Sequence, residues 1–184
     1  MFRSLIALTT LLVATLAQAQ TVKLITTEGE IRIELDAEKA PKTVANFLQY
    51  VKAGHYNGTV FHRVIENFMI QGGGYDAKLQ QRPTKPPIPL ESDNGLLNVR
   101  GTIAMARMSE PNTANSQFFI NVVDNAFLNR SEDKPGYAVF GKVIEGMDVV
   151  DKIRVVPVAP QGVHQHFPVT PILITKALIE PTPK

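Results

Sequence analysis

Phe61-His62-Arg63-Val64-Ile65-Glu66-Asn67-Phe68-Met69-Ile70-Gln71-Gly72-Gly73-Gly74 reads as two short strands joined at Glu66-Asn67 and stopped by three glycines. Both halves are largely apolar, and Arg63 in the first and Gln71 in the second interrupt that pattern. In a strand of period two, Met69 and Gln71 point to one face, and Phe68 and Ile70 to the other. An arginine among Phe and Met side chains is uncommon, because ionised groups are rarely buried without a partner. Two readings fit the stretch by itself: a rim residue with a buried stem, or a cation kept for a task. The rest of the chain has to separate them.

The chain has 184 residues, a length suited to one domain with a sizeable core. Its beginning stands apart. Arg3 gives a positive start, Leu5 to Leu16 an apolar run, and Ala17-Gln18-Ala19 a small-x-small cleavage site. That is the pattern of a secretory signal peptide, 1–19, and it leaves 20–184 as the expected mature domain. The apolar run is short for a membrane span and no later segment approaches the required length. The mature protein is therefore expected off the membrane, in the periplasm or secreted, with a monomer as the default state. The net charge of +2 becomes +1 once Arg3 is removed, which gives no footprint for nucleic acid. Cysteine is absent, so thiol catalysis, Cys-ligated zinc and disulfides all drop out.

From Thr21 to Leu35, apolar and polar residues alternate across Glu28-Gly29, a hairpin signal. Pro41 suits the first position of a helix, followed by Val44, Phe47, Leu48 and Val51 at helical spacing and stopped by Gly54. From Tyr75 to Gly101 periodicity disappears and Pro83, Pro86, Pro87 and Pro89 punctuate a long loop. Strand patterns return at Thr102–Ala106, Gln117–Val122, Tyr137–Val143 and Ile172–Ile179, with a second helix from Gly146 to Arg154 and a frayed tail at 181–184. Eight short strands with a helix near each end of the chain close most economically as an antiparallel β-barrel, which removes exposed edges.

Familiar chemistry is largely missing. Gly72-Gly73-Gly74 lacks the Gly-Lys-Ser/Thr of a phosphate loop. His164-Gln165-His166 is a histidine pair in an expected loop with no third ligand nearby in sequence, so no metal or other cofactor is expected. There is no Gly-x-Ser-x-Gly elbow and no evident carboxylate pair. What remains is a barrel with one conspicuous cation and several aromatic and amide side chains. A second notable stretch runs from Met105 to Phe119, where Pro111-Asn112-Thr113 turns the chain toward Gln117 and Phe119.

Phe61-His62-Arg63-Val64-Ile65 with Phe68-Met69-Ile70-Gln71-Gly72-Gly73, Pro111-Asn112-Thr113 leading to Ser116-Gln117-Phe118-Phe119-Ile120, and Tyr137-Ala138-Val139-Phe140-Gly141-Lys142-Val143 together resemble the cyclophilins. These are peptidyl-prolyl cis–trans isomerases, and the likeness runs from about Val22 to Ile179, most like the exported bacterial branch. The resemblance implies a mainly β, closed eight-stranded barrel, with proline-containing unfolded or flexible polypeptides as substrates. It implies Arg63 as the catalytic residue with Gln71 as its hydrogen-bonding neighbour. Phe68, Met69, Phe119 and Leu128 would form the walls of the proline pocket, and His62, Ala106, Arg107 and Gln117 the groove for the peptide backbone. Phe127 stands where many cyclophilins have a Trp that supports cyclosporin binding, so weak binding of that drug is implied. Tyr137 stands where a His is frequent and still offers a ring with a polar tip, and Arg107 replaces a common Asn. The alternative from another class is a module that binds proline segments as a chaperone without turnover; retention of Arg63 with Gln71 favours catalysis.

Overall fold

The computed structural model describes residues 20–181; the expected signal peptide, 1–19, and the last residues of the tail, 182–184, lie outside them. Strands β1, Gln20–Thr26, and β2, Gly29–Leu35, form the hairpin their alternation predicts. Val22, Leu24, Ile31, Ile33 and Leu35 are almost fully buried. On the other face charges pair, Lys23 with Glu30 at 3.2 Å for one. Thr26 tightens the turn, its hydroxyl accepting the backbone N–H groups of Glu28 and Gly29 at 3.1 Å each.

After helix α1, Pro41–Lys52, come β3, Thr59–Ile65, and β4, Met69–Asp76. Then follow β5, Thr102–Met105; β6, Phe118–Asn121; β7, Val139–Glu145; and helix α2, Met147–Arg154. The chain ends with β8, Val158–Gln161; β9, His164–Pro168; and β10, Leu173–Glu180. Eight of these strands close a barrel in the order β1-β10-β3-β4-β6-β5-β7-β2, each pair antiparallel. The fold class is the expected one: mainly β, a closed eight-stranded barrel with two helices.

Phe47 of α1 inserts its ring where β3, β6 and β7 begin, 5.1 Å from Tyr56 and Phe140 and 5.6 Å from Phe118. Val149 of α2 instead covers the start of β2, beside Gly29. Because β2 runs antiparallel to β7, the two helices plug opposite ends of the barrel. Such an interior is filled by side chains and leaves no lumen for a ligand.

Three expectations change. The glycines at 72–74 do not stop a strand, for β4 runs through them to Asp76. A Cβ at Gly74 would lie 2.6 Å from Cγ of Gln117, so the small residue there makes room for that side chain. The segment carrying His164 and His166 is the hairpin β8–β9, outside the barrel and lying against β3. Phe68, expected in the strand opposite Met69, belongs to the turn before it and donates its backbone N–H to Ile65 O at 3.0 Å.

Candidate active site

Strands β3 and β4 pair in register from Ile65↔Met69 to Arg63↔Gln71, but the next pair is Phe61↔Gly72, so β3 carries one extra residue, His62. A bulge of this kind breaks the alternation of side chains and re-aims them. Phe61 and Val64 both face the core, and the two residues between them, His62 and Arg63, are turned away from it. The outward arginine therefore follows from one inserted residue. Arg63 is half-buried, and that burial lowers its pKa, opposed in part by nearby Tyr137. It has no carboxylate within ion-pair distance among the described residues, yet a guanidinium stays protonated.

Its partners are neutral. Nη1 of Arg63 donates to Oε1 of Gln71 at 3.4 Å and lies 3.9 Å from the Met69 sulfur. Because a guanidinium can only donate, Gln71 must turn its oxygen toward Arg63. Its Nε2 then donates to Oε1 of Gln117 at 2.9 Å, which leaves the Gln117 amide nitrogen, without an acceptor among the described residues, as the donor at the end of the relay. Met69 and Gln71 share a face of β4, as period two requires.

A pocket of about 130 Å³ opens beside Arg63, walled by Phe68, Met69, Phe119 and Leu128. Met69, Phe119 and Leu128 are buried and form a small apolar cluster with Ala104 and Val139, separate from the barrel core. Phe68 sits with its ring centroid 5.6 Å from the guanidinium carbon of Arg63. Ala106, Arg107 and Tyr137 complete the rim. Tyr137 meets Phe119 edge-on at 5.6 Å, and the Arg107 guanidinium lies over the Tyr137 ring at 4.5 Å. Phe127 stands largely exposed beside Phe68, ring to ring at 5.4 Å. A larger cavity, about 430 Å³, lies elsewhere, between Leu35, Leu96 and Val139 under a rim of Glu34, Asp36 and Glu38. The cation in its lining, Lys142, is exposed and paired with Glu34 at 3.1 Å, unlike the half-buried Arg63 of the smaller pocket.

The family model for cyclophilin-type peptidyl-prolyl cis-trans isomerases matches residues 21–178, nearly all of the described chain. The chain belongs to the cyclophilins. A peptidyl-prolyl cis-trans isomerase of Acinetobacter baylyi is 54% identical over 179 residues, covering 97% of this chain and 95% of that protein. Peptidyl-prolyl cis-trans isomerase B of Escherichia coli is 51% identical over 157 residues, 84% of this chain and 96% of that one. The crystal structure of a Cryptosporidium parvum cyclophilin-type isomerase superposes with a TM-score of 0.75 at 30% identity, covering 90% of this chain and 99% of that one. As a cyclophilin the protein is a peptidyl-prolyl cis–trans isomerase, and its substrates are proline-containing peptides.

Within this cyclophilin the pocket is lined by Arg63, Phe68, Met69, Gln71, Ala106, Arg107, Phe119, Leu128 and Tyr137; Gln117 and Phe127 adjoin it through Gln71 and Phe68, and His62 lies apart. The hairpin β8–β9 covers that part of β3, and His62 packs edge-on against Tyr75 at 4.8 Å and His164 at 5.3 Å. It is 4% exposed and its Nδ1 has no partner among the described residues. Burial, with His164 and Arg63 adding, lowers its pKa to about 4. It therefore stands neutral behind the strand and not in the groove.

Sequence reasoning also missed the support beneath the pocket. Asn98, Asn121 and Asn125 are fully buried and bonded in series: Asn125 Nδ2 donates to Asn121 Oδ1 at 2.8 Å, and Asn121 Nδ2 to Asn98 Oδ1 at 3.2 Å. The series ends on the pocket walls. Asn125 Nδ2 also donates to Phe68 O at 2.8 Å, and Asn98 Nδ2 reaches the carbonyls of Leu128 and Tyr137. The signal was an amide in an otherwise apolar strand, Phe118-Phe119-Ile120-Asn121-Val122, because a buried amide must find partners.

Proposed function

We propose that Arg63 lowers the isomerisation barrier by donating to the prolyl nitrogen as the amide twists. The observation that supports this most is a half-buried guanidinium without a counter-ion among the described residues, held by Gln71 at the edge of an apolar pocket. The barrier to rotation is roughly 18–20 kcal/mol, which leaves the free reaction on a scale of tens of seconds. About a thousand turnovers per second would need a reduction of roughly 7 kcal/mol. As resonance is lost the nitrogen regains a lone pair, so a fixed donor aimed there binds the twisted state better than either planar one. Phe68, Met69, Phe119 and Leu128 would hold the ring, and their low-dielectric surroundings would strengthen the contact. No bond to the protein forms and no proton moves.

The test is NMR exchange between cis and trans forms of a short Xaa-Pro peptide with catalytic protein. Arg63→Ala should slow the catalysed exchange by about 10²–10³-fold, the loss that follows removal of one transition-state donor, with an unchanged circular dichroism spectrum. Exchange within a few-fold of the parent would remove Arg63 from this role. Cyclosporin should inhibit the same assay only weakly, since Phe127 has a ring but no N–H.

The finer context belongs to the same proposal: exported clients in the periplasm, a monomer, and no membrane attachment after processing. Supporting it are the leader pattern at 1–19 and the lack, among the described residues, of any helix able to cross a membrane. A mature N-terminus other than Gln20 by mass spectrometry of exported protein, or a dimer by sedimentation, would revise it.

A further inference from the structure

Arg107 is fixed in place and only partly used. Its Nε donates to Gly136 O at 3.0 Å, and Nη1 donates to the carbonyls of Met108 at 2.8 Å and Ser109 at 3.0 Å. Tyr137 supports the plane of the guanidinium from one side at 4.5 Å. Gly136 is shaped for this contact: its φ of +65° and the closeness of the Arg130 backbone leave no room for a side chain. Three carbonyls and one ring therefore hold the head group, while both N–H groups of Nη2 are without a partner among the described residues. Among the described residues no carboxylate lies within ion-pair distance of Arg107 either.

Arg63 and Arg107 both line a pocket of about 130 Å³, and no acidic residue lines it with them. A space of that volume is roughly 5 Å across by its cube root, so a residue adjoining a bound proline stays within reach of a long guanidinium. We propose that Arg107 makes this isomerase prefer prolines flanked by an acidic residue, with the free Nη2 of Arg107 donating to the substrate carboxylate. This rests on the proline pocket beside Arg63 being the reaction site. The guanidinium fork suits a carboxylate, and its prior anchoring means little side-chain freedom is lost on binding.

Two peptide series test it, one varying the residue before proline and one the residue after, each with Glu, Gln and Lys. Catalysed exchange in the intact protein should favour Glu over Gln by about five- to tenfold in kcat/KM in at least one series, with Lys lowest. The Glu/Gln ratio should fall as salt is raised, and should disappear as the pH drops through the glutamate range near 4.3. In Arg107→Gln the ratio should shrink to within about twofold, and Arg107→Lys should restore part of it, since charge is kept but the fork is lost. A ratio near one in both series overturns the proposal, as does a ratio that survives in Arg107→Gln. The salt and pH responses are read on the unaltered protein and stand even where a variant fails to fold. Failure of the arginine mechanism would show separately, as normal turnover of the Gln peptide by Arg63→Ala.

Discussion

At the scale of single residues, the site depends on the placement of two amides relative to one guanidinium. Arg63 and Gln71 were legible in the sequence, because a cation and an amide among apolar strand residues break a simple pattern. The link from Gln71 to Gln117 was not legible in that way, since it depends on the register between β4 and β6. It also depends on Gly74, over which Gln117 lies. In Gly74→Ala the new Cβ would sit 2.6 Å from Cγ of Gln117 and displace a side chain that can move. Stability should change by no more than about 1 kcal/mol, while catalysed exchange should fall about tenfold through misalignment. Turnover equal to the parent, with Gln117 shown by NMR to have moved, would mean that the relay does not matter. The same one-residue sensitivity explains His62: the family resemblance implied the groove, and the bulge with the hairpin behind it sent it elsewhere.

Among the elements, α1 shows what periodicity reveals and what it hides. The stripe Val44, Phe47, Leu48 and Val51 predicted a buried face, and all four are buried. Its first turn has no side-chain cap of its own, since Ala40 precedes Pro41. Glu91, from the long segment without regular structure, supplies one: its carboxylate accepts the backbone N–H groups of Lys42 at 3.1 Å and Thr43 at 2.8 Å, and the Thr43 hydroxyl at 2.7 Å. A negative group here also faces the positive end of the helix dipole. Glu91→Ala should therefore cost about 1–2 kcal/mol in urea unfolding, and Glu91→Gln less, with peptide exchange little changed. No loss in Glu91→Ala would show that water caps the helix equally well. The hairpin β8–β9 escaped notice for the opposite reason: Val158, Ala159, Pro160 and Gln161 are all exposed, so no alternation marks them.

For the whole molecule, the described histidines with shifted pKa values all favour the neutral form on folding. Burial is the first cause for His62, His55 and His164 alike, and His62 is lowered to about 4. Above about pH 6.5 neither the folded nor the unfolded chain protonates His62; below it the unfolded chain takes the proton first. Stability should therefore fall as pH drops from about 6.5 to about 4, by roughly 3 kcal/mol from His62 alone, with His55 and His164 adding in the same direction. Denaturant midpoints measured across that range should slope, and His62→Gln should flatten the slope; an unchanged slope would assign it to other groups. The barrel itself was legible because alternation marked the β1–β2 hairpin and short, turn-bounded apolar runs marked its other strands. Which strand neighbours which was less so, and one adjacency has a consequence for biosynthesis. β10 lies between β1 and β3, so the last of the described strands to be made fills the gap beside the first. Until it emerges, β1 and β3 each keep an unpaired edge, and the contact that closes the seam, Thr21 with Glu180, spans nearly the whole chain. Closure of the barrel in this catalyst of folding must therefore wait until β10 has been made.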